Sequence, residues 1–64
     1  MTWELYEVWA EDEDGFQELI DTTRSKTEAF ELAQAQLDQG FLFAVVFQET
    51  EDGDTIEIKR FEHG

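Results

Sequence analysis

The stretch FLFAVVFQE, residues 41–49, is the most apolar segment of the chain and decides the fold. An uninterrupted apolar run of this length is typical of a strand that lies in the middle of a sheet and is buried on both faces. We therefore predict a central β-strand over residues 41–49. The run from Phe41 to Phe47 is far too short to cross a bilayer, which takes about 20 apolar residues in a helix.

The segment before this strand has the pattern of an amphipathic helix. In SKTE, residues 25–28, Ser25 can accept a backbone N–H of the first helical turn and Glu28 can reach back, which is the pattern of a capping box. Apolar residues then recur at helical spacing, which predicts a helix from Lys26 to Asp38. Gly40 stands just past its end, where helices commonly terminate.

Three further segments have the composition of β-strands. Residues 2–10, TWELYEVWA, and 55–62, TIEIKRFE, are rich in aromatic and β-branched types, whereas 16–23, FQELIDTT, is more polar and fits a sheet edge. Two acidic turns, EDEDG at 11–15 and TEDGD at 50–54, join the strands into hairpins, because Asp-Gly suits the positive φ of a tight turn.

The order of elements is therefore ββαββ, and we predict a single α+β domain over residues 1–64. A right-handed crossover from the second strand through the helix to the third must pass over at least one strand position. A four-stranded antiparallel sheet in the order 2-1-3-4, with one helix packed on one face, satisfies this and places the two most apolar strands at the centre. It also puts the two acidic turns at opposite ends of the sheet.

The composition combines high negative charge with many aromatic residues. Seventeen Asp and Glu against four Lys and Arg give a net charge of −13, yet six Phe, two Trp and one Tyr argue for a folded chain. The charge predicts repulsion from nucleic acid and from anionic membranes, so we expect neither direct nucleic-acid binding nor membrane association. The amino terminus lacks the features of a secretory signal, and a cytoplasmic location is expected.

Residue types suited to catalysis and metal binding are sparse. The chain has no cysteine, and its one histidine, His63, stands next to the carboxyl end. An EF-hand loop with Gly15 at its sixth position would have Ala10 at its first position, where an oxygen ligand such as Asp is required. It would have Asp21 at its twelfth position, where Glu is required. We therefore predict no catalytic residue, no metal site and no cofactor.

Both faces of the two central strands are apolar, but one helix can cover only one of them. Glu7 would be costly under the helix without a cationic partner, so we place Tyr6, Val8, Leu42, Ala44, Val46, Ile56 and Ile58 there. The other face is then a candidate docking patch for a second copy of the chain or for a foreign protein. Its residues are Trp3, Leu5, Trp9, Phe43, Val45 and Phe47. In the reverse arrangement these residues would form an ordinary core.

The acidic turns form a second candidate surface, because spaced carboxylates can imitate the phosphates of nucleic acid. In size, charge and lack of catalytic residues the chain is similar to the small acidic phage proteins that block restriction or CRISPR nucleases, although no motif identifies a family. The residues that would face a basic partner are Glu11, Asp12, Glu13, Asp14, Glu18 and Asp21 near the first turn, and Glu49, Glu51, Asp52 and Asp54 at the second.

Two functions fit these observations. The first is a non-catalytic protein-binding domain, a phage or mobile-element inhibitor that mimics nucleic acid and binds a basic enzyme such as a restriction or CRISPR nuclease. The alternative is a small homodimeric accessory domain from a salt-adapted, acid-rich proteome, in which the charge reflects habitat and the helix-free face pairs two copies. Acidic turns are also commonly solvent-exposed loops that have no binding function.

Overall fold

The computed structural model describes residues 4–63 and contains four strands and one helix. In chain order these are β1 (Leu5–Glu11), β2 (Gln17–Thr23), α1 (Lys26–Asp38), β3 (Phe43–Glu49) and β4 (Thr55–Glu62). The sheet is antiparallel throughout and has the order β2-β1-β3-β4, which confirms the predicted α+β fold. The helix and β4 have the predicted bounds, whereas β3 begins at residue 43 instead of 41.

The two most apolar strands pair with each other at the centre of the sheet. Leu5 of β1 lies opposite Glu49 of β3, and Glu11 lies opposite Phe43, so seven consecutive positions are in register. This antiparallel register places the end of β1 and the end of β3 at opposite ends of the sheet, about 20 Å apart at a rise of about 3.3 Å per residue. The hairpin turns that follow these two strands are therefore well separated.

The start of α1 is capped through three side chains. The Ser25 hydroxyl accepts the backbone N–H of Glu28 at 3.2 Å, as the capping box predicts. The Glu28 carboxylate does not return to the Ser25 backbone; it accepts the Thr23 hydroxyl at 3.2 Å, and Thr23 Oγ1 in turn accepts the Ser25 N–H at 3.1 Å. The cap thus extends into the end of β2 and fixes the angle at which the helix leaves the sheet.

The end of α1 is a Schellman motif centred on Gly40. The Gly40 N–H donates to the Leu37 carbonyl and the Phe41 N–H donates to the Gln36 carbonyl, each at 3.2 Å. The half-buried Phe41 packs against the core just beyond this turn, so the helix stops and the chain enters β3 in a defined direction.

The core lies between α1 and one face of the sheet. Ala29 and Ala33 of the helix are fully buried against the β1 and β3 side chains Val8 and Val46, which are also fully buried. Small residues on the helix allow its backbone to come close to the sheet. Larger side chains close the periphery of this layer: Ile20, Phe30, Leu32, Phe41, Ile58 and Phe61. Among them, the Phe30 and Phe61 rings meet edge to face at 5.7 Å.

Two residues that we placed under the helix lie outside the core. Leu42 is 44% exposed and Ile56 is 54% exposed, because both lie near the ends of the sheet, beyond the part that α1 covers. Tyr6, Val8, Ala44, Val46 and Ile58 do pack on the helix side. Glu7 lies on the other face, away from the helix.

Tyr6 is a buried residue of the sheet whose phenol has a raised pKa. Its ring is 3% exposed, and burial raises the pKa of its phenol above 10.0, with further contributions from the charge of Glu4 and a hydrogen bond to Glu4. The folded protein therefore holds this proton more tightly than the unfolded chain does.

The close contact of α1 with the sheet predicts a large effect of added volume at Ala33. Ala33→Leu should lower the free energy of unfolding by about 1–3 kcal/mol, because the fully buried site has no room for a larger side chain. Gln34→Leu, at the next and exposed position, should change it by less than about 0.5 kcal/mol. Urea denaturation measures both, and equal effects would contradict the packing described here.

The burial of Tyr6 predicts a loss of stability in alkali. Its contribution is complete below the unfolded pKa of about 10 and decreases as pH rises from there towards the folded pKa, because only the unfolded chain loses the proton in that interval. Phenolate absorbance of this single tyrosine should therefore titrate at higher pH in the folded than in the urea-unfolded chain. Tyr6→Phe should remove this part of the pH dependence; an identical titration in both states would refute it.

Candidate protein-docking surface

The face of the sheet opposite α1, called the open face below, carries the predicted apolar patch. Trp9 of β1 and Val45 of β3 lie directly opposite each other at its centre. The remaining described members of the predicted patch on this face are Leu5, Phe43 and Phe47. Trp3 lies outside the described residues. No helix covers this face, because α1, the one helix within residues 4–63, packs on the other side.

The apolar side chains of the open face partly shield one another. Val45 is only 7% exposed, while Leu5, Trp9, Phe43 and Phe47 are half-buried. At the border, Leu19 of β2 lies opposite Trp9 and is 46% exposed. Val45 is therefore nearly buried at the centre of this surface, and most of the exposed apolar area belongs to the larger side chains around it.

Polar groups on the open face are arranged around the aromatic rings. The indole N–H of Trp9 donates to the Glu7 carboxylate at 2.9 Å. The Arg60 guanidinium stacks over the Phe43 ring at 4.0 Å and donates from Nε to Glu62 at 2.8 Å. These contacts hold Trp9 and Phe43 in defined orientations without burying them completely.

A shallow depression lies between the rings of Trp9, Phe43 and Phe47, with Gln17 and Glu11 at its edge. Its volume is about 30 Å³, which is the space of about one water molecule. Small-molecule sites are usually clefts of about 300–1,000 Å³. The depression on the open face is therefore smaller than a typical small-molecule cleft.

The two acidic turns have the same backbone structure. In the first, the Gly15 N–H donates to the Asp12 carbonyl at 3.1 Å; in the second, the Gly53 N–H donates to the Thr50 carbonyl at 3.0 Å. Each glycine has a positive φ, 86° and 88°, as a three-residue hairpin loop requires. Each loop presents the same residues, Glu-Asp-Gly, at 13–15 and 51–53.

Within the first turn, two of the four carboxylates accept hydrogen bonds from the chain itself. The Asp12 carboxylate accepts the backbone N–H groups of Asp14 and Phe16 at 2.9 and 3.1 Å, so it shapes the loop. The Glu11 carboxylate accepts the Gln17 side-chain amide at 3.1 Å on the open face. Glu13 and Asp14 at the tip are exposed, which leaves them as the outward charges of this loop.

The other predicted acidic residues are distributed along the edges of the molecule. Glu18 is exposed and lines, with Asp12 and the end of α1, an open groove of about 250 Å³. The Asp21 carboxylate accepts the Thr22 N–H at 2.7 Å. Glu51, Asp52 and Asp54 are exposed at the second turn, and Glu49 lies at the end of β3 on the open face. The structure therefore does not bring the two acidic groups together.

Within residues 4–63, no group of three or more His, Asp or Glu side chains is placed to hold a metal ion. No helix in the same range is long and apolar enough to cross a membrane.

Sequence reasoning missed the contribution of β4 to the open face. Arg60 lies opposite Val45, and Glu62 lies opposite Phe43, although strict alternation from Ile56 and Ile58 would place both on the helix side. The register shifts between Val46 and Phe47, so one extra residue of β4 reverses its alternation. Nothing in the local composition of TIEIKRFE marks this bulge.

Comparison of the chain with protein-family models, with curated protein sequences and with solved structures finds no match. The fold and its surfaces are therefore the observations on which a function can be argued.

Proposed function

We propose that this chain is a non-catalytic protein-binding domain that docks through its open face. The observation that carries this proposal is the half-buried row of Leu5, Trp9, Phe43 and Phe47 on a sheet face that the helix does not cover. Soluble monomers rarely leave large contiguous apolar patches in water, and such patches mark interaction sites.

The chemistry of the open face favours a protein over a small ligand or a nucleic acid. Trp and Phe are common anchors of protein interfaces. Each of these side chains is at most about a third exposed, so covering one contributes on the order of 0.5–1 kcal/mol, and several together can support a specific contact. A net charge of −13 repels the phosphates of nucleic acid, which argues against these rings as a platform for base stacking.

A second candidate function is mimicry of nucleic acid by the two acidic turns. The specific observation in its favour is the repetition of one loop structure with the residues Glu-Asp-Gly at both ends of the sheet. The loops extend beyond strand ends that are themselves about 20 Å apart along the sheet, so the two tips would contact phosphates at least about six base steps of B-DNA apart, at 3.4 Å each. A basic enzyme such as a restriction or CRISPR nuclease would be the target.

Site-specific photocrosslinking in cells that produce the protein tests the docking proposal. A benzophenone amino acid in place of Leu19, at the border of the open face, should give a discrete protein adduct. The same group in place of Gln34, on the exposed side of α1, should give none. Trp9→Ser, with its fold verified by thermal unfolding, should abolish the Leu19 adduct. Adducts of equal yield from both positions, or none from Leu19, would refute docking through the open face.

A charge-matched competition experiment tests the mimicry candidate. The change Glu13→Gln with Asp14→Asn should weaken competition with duplex DNA for a restriction or CRISPR nuclease. The change Glu31→Gln with Asp38→Asn, on the exposed side of α1, removes the same charge and should have little effect. Equal loss in both variants would show that only the total charge matters, and no competition by the unmodified chain would exclude mimicry of DNA for those enzymes.

A further inference from the structure

We infer that the occupant of the open face is a basic protein surface with an apolar centre, and not a second copy of this chain. This inference rests on the proposed function, since it names the partner of the same surface. It follows from the charges around the aromatic row and from the area that the face offers.

The margins of the open face are negatively charged. Five carboxylates and one guanidinium occupy its described strand positions: Glu7, Glu11, Glu49, Glu57 and Glu62, with Arg60. Arg60 is already engaged, because it contacts both Glu62 and the Phe43 ring. Its charge therefore offsets that of Glu62, and the described strand positions of this face hold four further carboxylates and no other Lys or Arg.

These carboxylates surround the apolar centre on several sides. Glu11 lies at one end of the central pair of strands and Glu49 at the other, since they are opposite Phe43 and Leu5 respectively. Glu57 lies on the β4 side, opposite Phe47. A complementary surface would place Lys or Arg at its two ends and along one side, around an apolar strip that contacts Trp9.

A second copy is a poor match to this surface. In a two-fold dimer the same face meets itself, so carboxylates face carboxylates and two bodies of charge −13 are brought together. Four strands about 4.8 Å apart and about 23 Å long give a footprint of roughly 400 Å² per copy. Stable interfaces usually bury about 800 Å² per partner. A partner of opposite charge compensates for the small area, whereas an identical copy does not.

Three synthetic peptides of strand length serve as probes. The first alternates Lys with Val and Phe, the second alternates Glu with Val and Phe, and the third alternates Lys with Ser. The first supplies positive charge and an apolar strip, the second reverses the charge, and the third lacks the strip. Binding is measured by titration of the isotopically labelled chain, with backbone amide shifts that distinguish the open face from the tips at 13–15 and 51–53.

The Lys–Val/Phe peptide should shift the amides around Trp9, Val45 and Phe47 and bind at least about 10-fold more tightly than the Glu–Val/Phe peptide. Glu49→Gln with Glu57→Gln should weaken this binding about fivefold. The matched control, Glu31→Gln with Asp38→Asn, removes the same charge from the exposed side of α1 and should change the affinity less than about twofold. Sedimentation of the free chain should give the monomer mass.

The possible contrary results distinguish failure of the inferred partner chemistry from failure of the proposed docking function. Equal binding of the Lys–Val/Phe and Glu–Val/Phe peptides at the open face overturns the inferred charge preference and leaves the docking proposal intact. A dimer that Trp9→Glu dissociates assigns the face to a second copy, which also overturns the inference alone. Failure of every peptide to shift the open face, together with a monomeric chain, refutes the proposed docking function itself.

Discussion

The structure depends on one constraint: within residues 4–63, one helix of 13 residues has to stabilise a sheet whose two central strands are largely apolar on both faces. The contact that resolves it is that of Ala29 and Ala33 with Val8 and Val46, all fully buried. Because these helix residues are small, α1 lies close to the sheet and buries the centre of one face, whereas Leu42 and Ile56 near the ends of the sheet stay exposed. The other face has no helix over it, and its side chains are covered in part by one another's polar groups: Arg60 stacks over Phe43, and Glu7 accepts the indole N–H of Trp9.

The net charge limits what can associate with this molecule. Two such chains with centres roughly 20 Å apart repel each other by on the order of 3 kcal/mol at physiological ionic strength, treated as screened point charges. That repulsion opposes the free energy gained by covering a few half-buried rings, and the two free energies are of similar magnitude. For a basic partner, the same charges would increase the rate of association, and their attraction would add to the free energy gained by burying the rings. In the proposed complex, charge would therefore select the partner, and burial of the apolar rings would stabilise the contact.

The elements with strong local signals could be predicted from the sequence. The cap at Ser25, the helical spacing and Gly40 define α1, and the run from Phe41 to Phe47 identifies a central strand, so the strand order follows from the crossover rule. The exposure of Leu42 and Ile56 could not be predicted from the sequence, because it depends on how far the helix extends over the sheet. Arg60 could not be placed either, since the bulge that turns it towards Val45 is a property of strand pairing.

The two candidate surfaces differ in how salt should act on a complex, because their contributions have different physical origins. A partner held only by Glu13, Asp14, Glu51 and Asp52 would be bound by exposed charges, and salt weakens such contacts strongly. Rings such as Trp9 and Phe47 contribute through burial, which salt does not screen. A complex that keeps part of its affinity at high salt therefore engages the open face. If the acidic margins of that face attract the partner first, salt should slow association much more than it speeds dissociation.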